Sequence, residues 1–147
     1  MGIVKDILAK SAQVVATVTQ AADLDFLEGA GSVSADILEY RLDNLFSLRE
    51  EAKASIESAP VPAMATVRSP EEGGAHELEP DTRRSIYDTF FGSVAIVDTE
   101  VATLKLPEFS EFAKEAGTRD TLVLASFHDF QQWPGENTLR EKIDLAY

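Results

Sequence analysis

Ile37-Leu38-Glu39-Tyr40-Arg41-Leu42-Asp43 is a short strand pattern that runs into a cluster of ionisable side chains, and the chain repeats this design twice more. The second instance is Ala65-Thr66-Val67-Arg68-Ser69, continuing into Glu71-Glu72-Gly73-Gly74, and the third is Leu124-Ala125-Ser126-Phe127-His128-Asp129-Phe130. Strands of an α/β fold are mostly buried and read as apolar runs. Charges gathered where such a strand gives way to the next loop are the arrangement that builds an active site in a parallel barrel. A helix-like stretch separates each cluster from the next.

Working outward, the hydrophobic period switches regularly between strand and helix. Strands are expected at 14–19, 36–41, 63–67, 94–97 and 121–126. A short helix at 21–28 is stopped by Gly29-Ala30-Gly31, and Leu45, Leu48, Ala52 and Ile56 recur at helical spacing up to Glu57. Pro60 and Pro62 bracket the turn into the third strand, and 69–80 is the longest polar stretch. Asp81 can cap a helix with Ile86, Phe90 and Phe91 as its apolar positions, ended by Gly92. Residues 107–116 are helical with Gly117 as the C′ residue, and one more helix starts at 138–146. Five strands alternating with five helices call for parallel βαβ units with right-handed crossovers. The expected strand order is 1-2-3-4-5, an open part of a barrel, and the alternative is a flavodoxin-like doubly wound order 2-1-3-4-5. Residues 16–22 contain no glycine, and no G-x-G-x-x-G or G-x-x-x-x-G-K-[ST] occurs, which disfavours dinucleotide and P-loop sites.

The 147 residues suffice for one domain with a real core, and 44% hydrophobic content excludes a disordered chain. Absence of cysteine excludes disulfides and thiolate metal sites. Lys5, Asp6 and Lys10 interrupt any secretory apolar region, and no apolar run approaches a bilayer span, so no membrane partner and a cytoplasmic location are expected. Thirteen basic against 26 acidic residues give a net charge of -13, a surface that repels phosphate backbones, so nucleic acid is excluded as a partner. Solubility is the ordinary reason for such a charge, and a saline habitat is an alternative.

Glu39 and Arg41 share one face of the second strand because side chains alternate, with Tyr40 and Leu42 on the other. Such a pair can hold hydroxyls and orient a polar ligand, or serve as a structural ion pair. Arg68 ends the third strand, and Glu72 follows in a loop whose Gly73-Gly74 lets backbone approach a ligand. Glu71 reads as solvated. His128, after an apolar run, suits proton transfer near neutral pH, although a lone histidine is often structural. His76 belongs to a polar loop. Asp98 and Glu100, after the fourth strand, would stabilise the groups that touch a ligand. A Mg²⁺ site from Asp43, Asp98 and Glu100 has no spacing to specify it.

Glu39-Tyr40-Arg41-Leu42-Asp43, Thr66-Val67-Arg68-Ser69 with Glu72-Gly73-Gly74, Val97-Asp98-Thr99-Glu100 and Ser126-Phe127-His128-Asp129-Phe130 occur in this order. Together they resemble type I 3-dehydroquinate dehydratase of the shikimate pathway, over nearly the whole chain. The resemblance implies an α/β (β/α)8 barrel of TIM type, of which residues 1–147 would be a single (β/α) domain holding about the first five βα units. It implies a lyase that works without metal, with no cofactor and with 3-dehydroquinate as its small-molecule substrate. A lysine forms an imine with the substrate ketone, a histidine removes the adjacent proton and helps protonate the departing hydroxyl, and syn elimination of water gives 3-dehydroshikimate. By motif match His128 is that acid/base, Glu72 orients it, and Glu39, Arg41 and Arg68 contact substrate, with Asp98 and Glu100 behind them.

The sequence departs from the family beyond His128. The imine-forming lysine, a later carboxylate-binding arginine and the serine and glutamine of a last loop have no counterparts among these residues. Lys142 reads as a solvated helix residue, and Lys105 is out of register for the family. The acid/base half of the site is present without the covalent half. The first reading is part of an ordinary enzyme. A short form completed by another chain, and a catalytically inactive ligand-binding or interaction module, are the alternatives. A homo-oligomer, or completion by a missing C-terminal half, is expected.

Overall fold

The computed structural model describes residues 12–146. The reading of Lys5, Asp6 and Lys10 against a secretory segment lies outside the described residues. Five parallel strands, β1 (Val15–Val18), β2 (Ile37–Arg41), β3 (Ala63–Thr66), β4 (Ile96–Glu100) and β5 (Leu122–Ser126), pair in the order β1-β2-β3-β4-β5. That order rules out the doubly wound alternative. Between and after them lie α1 (Ala21–Gly29), α2 (Arg49–Ser58), α3 (Pro80–Phe90), α4 (Phe112–Thr118) and α5 (Glu136–Ala146). No helix among the described residues is long and apolar enough to cross a membrane.

The alternation within each strand sorts side chains into two layers. Leu38, Tyr40, Leu42, Ala65, Val67 and Val97 pack on the helices through Ala52, Ile56, Ile86, Tyr87, Phe90 and Phe112. Tyr87 and Phe112 meet edge to face at 5.1 Å, an arrangement favoured by the ring quadrupoles. Ile37, Met64 and Ile96 form a second, smaller apolar cluster at the amino ends of the strands. Beyond that cluster the polar residues begin. The register sets Thr17 beside Glu39, Thr66 beside both Arg41 and Asp98, and Glu100 beside Ser126.

Several local expectations are corrected. Asp81 does not cap α3: Glu79 occupies that position and Pro80 opens the helix, where its fixed φ and missing N–H are harmless. The stretch from Pro107 is not one helix; a 3₁₀ turn (Pro107–Phe109) precedes α4, and Gly117 lies inside α4 instead of following it. Strand four runs on to Glu100, so Asp98 and Glu100 belong to the strand itself and not to a loop after it. Arginines opposite them allow two carboxylates in a buried strand.

β1 and β5 are the outer strands, and their backbone edges are unpaired among the described residues. Val14, Val15 and Leu124 are 59%, 43% and 47% exposed there. Val18, on the same outer strand, is instead buried in the helix-facing core. Leu139 and Ile143, one turn apart on α5, are also exposed. Burying one such side chain is worth about 1.5–3 kcal/mol, so these edges favour association, against the net charge. Sedimentation should show the 147-residue chain self-associating, more tightly at high salt as screening removes repulsion. A compact monomer at both low and high salt would contradict this.

Candidate active site

Arg68 follows β3 and is 5% exposed, so its guanidinium needs partners. Nη2 donates to Asp98 Oδ2 (2.9 Å), and Nη1 donates to Ser126 Oγ (2.6 Å) and to Glu100 Oε1 (3.5 Å). Ser126 in turn donates to Asp98 Oδ1 (2.5 Å). Burial pulls the Arg68 guanidinium down, but the adjacent Asp98 and Glu100 carboxylates outweigh it and hold its pKa above the ordinary value. β3, β4 and β5 thus contribute one side chain or more each to a single charged knot.

Glu100 is the other centre of this knot. Its Oε2 accepts from Arg83 Nη2 (2.5 Å) and Thr103 Oγ1 (2.7 Å), and its Oε1 accepts from the backbone N–H of Ser69 (2.8 Å). Burial raises the pKa of its carboxyl; Thr103, Arg83 and the Ser69 N–H overcome this and leave it below the usual carboxylate value. Arg83 comes from α3 and also donates to the carbonyl of Val67 through Nη2 (2.7 Å). Tyr87, one turn on, accepts from the Val67 N–H (3.0 Å) and donates to the Asp98 carbonyl (2.5 Å). Burial drives its phenol well above the ordinary range. α3 therefore holds the carboxyl ends of β3 and β4 together.

On β2, Glu39 Oε1 accepts from Thr66 Oγ1 (2.8 Å) and Oε2 from Thr17 Oγ1 (3.1 Å). Arg41 forks onto Asp43 through Nε (3.0 Å) and Nη2 (2.8 Å), and Nη2 also reaches the Gly73 carbonyl (3.2 Å). The fork on Asp43 is the largest of the effects that hold its guanidinium above the ordinary pKa. The fork-on-fork geometry of Arg41 with Asp43 replaces the Glu39/Arg41 ion pair considered as a structural alternative.

Glu72 and His128 meet. The backbone N–H of His128 donates to Glu72 Oε2 (2.7 Å), and His128 Nδ1 lies 3.0 Å from the same oxygen. A carboxylate only accepts, so Nδ1 carries the proton and, in the neutral ring, Nε2 keeps a free lone pair. The His128 side chain is 34% exposed, within reach of a ligand. Phe130 stacks on it at 6.0 Å and 10°. Two glycines make room for this. Gly73 adopts φ 92°, and a Cβ there would lie 2.9 Å from the Phe130 ring. A Cβ on Gly74 would lie 2.1 Å from the Arg68 carbonyl oxygen, so only glycine fits the turn.

Every site residue expected from sequence lies at the carboxyl ends of the strands or in the loops that follow them, apart from Glu39 and Asp98, each two residues before its strand's end. Hydrogen bonds join Arg68, Asp98 and Glu100 in one group, Glu72 and His128 in another, and Arg41 to the loop that carries Glu72. Asp43, Ser126, Thr66, Thr103 and Arg83 were not expected in these roles. Arg83 left a trace: an arginine on the apolar stripe of Ile86, Tyr87 and Phe90 needs a buried partner. The Mg²⁺ grouping fails, because arginine and backbone donors already fill Asp43, Asp98 and Glu100, and no metal-holding cluster exists among the described residues. Lys142 is not simply solvated, since its Nζ sits 5.1 Å above the Phe127 ring. His76 and Lys105 are exposed.

A model of the family described as type I 3-dehydroquinase matches residues 12–146. The chain belongs to the type I 3-dehydroquinase family. The 3-dehydroquinate dehydratase of Haloquadratum walsbyi is 32% identical over 127 residues, 81% of this chain and 52% of the relative. That of Methanocaldococcus jannaschii is 33% identical over 114 residues, 76% of this chain and 50% of the relative. The chain therefore spans about half the length of the curated relatives it matches. The crystal structure of 3-dehydroquinate dehydratase from Geobacillus kaustophilus superposes with a TM-score of 0.77 at 21% identity, covering 92% of this chain and 58% of that one. The fold is accordingly that of part of a parallel (β/α) barrel.

The sign of the Glu100 shift makes a pH prediction. A carboxyl whose folded pKa is depressed contributes stability that is complete above its unfolded pKa, near 4.5, and drains as pH falls through the folded value. Urea unfolding midpoints should thus fall below pH 4.5. Glu100→Gln should lose about 3–5 kcal/mol at pH 7, because it leaves buried arginine charge uncompensated. The variant should also lose less on acidification than the parent. Equal acid slopes for the two would refute the assignment.

Proposed function

We propose that this chain supplies the acid/base half of a 3-dehydroquinate dehydratase site, converting 3-dehydroquinate to 3-dehydroshikimate by syn loss of water. The observation that carries the reading is the Glu72–His128 hydrogen bond, which leaves Nε2 as a free base two residues beyond Ser126 of the Arg68 knot. His128 Nε2 takes the proton from the carbon next to the substrate carbonyl and returns one to the departing hydroxyl. Glu72 keeps the ring in the productive tautomer and stabilises it when doubly protonated. Glu39 accepts from substrate hydroxyls, and Arg41 and Arg68 supply the positive field that favours an anionic substrate. Asp98 and Glu100 hold Arg68 in place.

The imine that makes this proton acidic requires an amine. Of the four described lysines, Lys53 and Lys114 lie on the outer helices α2 and α4, Lys105 is exposed in a 3₁₀ turn (Thr103–Lys105), and Lys142 is engaged with Phe127. In this proposal the amine comes from a further (β/α) portion, on the same or another chain, that pairs with the edges of β1 and β5. Residues 1–147 then act as one (β/α) domain, the N-terminal portion of a cytoplasmic barrel.

Titrating the 147-residue chain with 3-dehydroquinate should shift the His128 ring and Ser69 amide resonances. Arg68→Ala should weaken binding by about tenfold or more, as expected for a charge-assisted contact. Borohydride treatment of the mixture should leave no adduct by mass spectrometry. Unmoved His128 resonances would sink the substrate assignment, and a stable adduct on Lys105 or Lys142 would sink the proposed source of the amine.

A further inference from the structure

Asp43 lies just past β2, is fully buried, and has a side chain with four N–H donors around it. Two come from the Arg41 fork at 3.0 and 2.8 Å. The other two are backbone groups: Arg68 N–H to Oδ1 (3.3 Å) and Ala75 N–H to Oδ2 (3.3 Å). Arg68 and Ala75 are the two ends of the loop that carries Glu72. Between them a 3₁₀ turn (Pro70–Glu72) is closed by the Gly74 N–H on the Ser69 carbonyl (2.8 Å), with no room for a side chain at Gly74. Arg41, braced by Asp43, adds a bond to the Gly73 carbonyl. One carboxylate thus fastens the loop at both ends and, through Arg41, near its middle.

We propose that Asp43 is a positioning residue: it fixes the 68–75 loop as a rigid unit and thereby sets the Glu72 carboxylate against His128. A carboxylate has about four lone-pair sites, and here each has a donor, so its charge is spent on this loop and on Arg41. The alternative anchor, Glu100, reaches only the first end of the loop, through the Ser69 N–H and the Arg68 guanidinium, and cannot fix the far end. Losing the Asp43 charge frees Ala75 and loosens the brace on Gly73, and Glu72 then swings with the loop. The proposal rests on the reading above only for the role given to His128. Its test uses no substrate, so its failure and the failure of that reading are separate events.

The test is hydrogen exchange, residue by residue, on the whole chain and on Asp43→Asn. The His128 amide reports the Glu72 contact, whereas the amides of Ala95 and Leu122, bonded within the sheet, report the fold. In the variant, exchange at His128 should rise about tenfold or more, the factor set by a lost charge-assisted bond, while Ala95 and Leu122 change by less than about threefold. A purely structural Asp43 would speed all three together, and that result overturns the proposal, as does an unchanged His128 amide. Should Asp43→Asn not fold, the parent chain decides by native-state exchange. The amides of Gly74, Ala75 and His128 should open with one common free energy below that of the sheet amides. Independent opening of Ala75 and His128 contradicts the proposal.

Discussion

Charge buried at the carboxyl ends of the strands is the constraint on which the rest depends. Arg68, Arg83, Asp43, Asp98 and Glu100 are all essentially buried, and none could stay charged there alone. Each is satisfied by a group from another element: β3 by β4 and β5, β4 by α3, and β2 by the loop after β3. The network therefore works only if the strand register is correct. A slip of one residue would turn each side chain to the opposite face, into the helix-packed layer. Net stabilisation from buried ion pairs is modest, because desolvation offsets most of the attraction. Their contribution here is specificity, in that one arrangement satisfies all five charges.

This same network places the Glu72–His128 pair. Glu72 sits on a loop, where backbone is ordinarily mobile, yet it must meet His128 from a strand two positions away in the sheet. Gly73 and Gly74 allow the chain to turn back tightly, and Asp43 and Glu100 hold the loop's N–H groups. Phe130 covers Gly73 and stacks on the His128 ring, limiting its rotation. Rigid strands thus impose their precision on a side chain that a free loop would leave unplaced.

The order of strands and the identity of the ionisable clusters were legible in the sequence, since short connections and apolar runs ending in charge are local signals. What escaped was the location of charge inside an element. Asp98 and Glu100 looked like the loop after β4 because carboxylates break an apolar pattern, and only Arg68 and Arg83, 30 and 17 residues away along the chain, make them acceptable in a strand. Asp43 was read as an unplaced carboxylate for the same reason. Half of its partners are backbone N–H groups from a distant loop, which carry no residue signature. The start of α3 at Pro80 follows from proline chemistry, because a missing N–H is harmless at the first helical position, and hydrophobic spacing alone does not reveal the break between Phe109 and Phe112. Along the outer strands Val14, Val15 and Leu124 are exposed, whereas Val18 turns inward beneath α1 and Leu122 packs against the Ile37–Met64–Ile96 cluster.

The fold presents His128 with one nitrogen held by Glu72 and the other open to a ligand. Nitrogen-15 NMR of the imidazole in the folded chain tests it most directly, because the two neutral tautomers have distinct shift patterns. Neutral His128 should carry its proton on Nδ1, with Nε2 unprotonated, and Glu72→Gln should erode this preference. A neutral ring protonated on Nε2, or a tautomer ratio indifferent to Glu72, would contradict it.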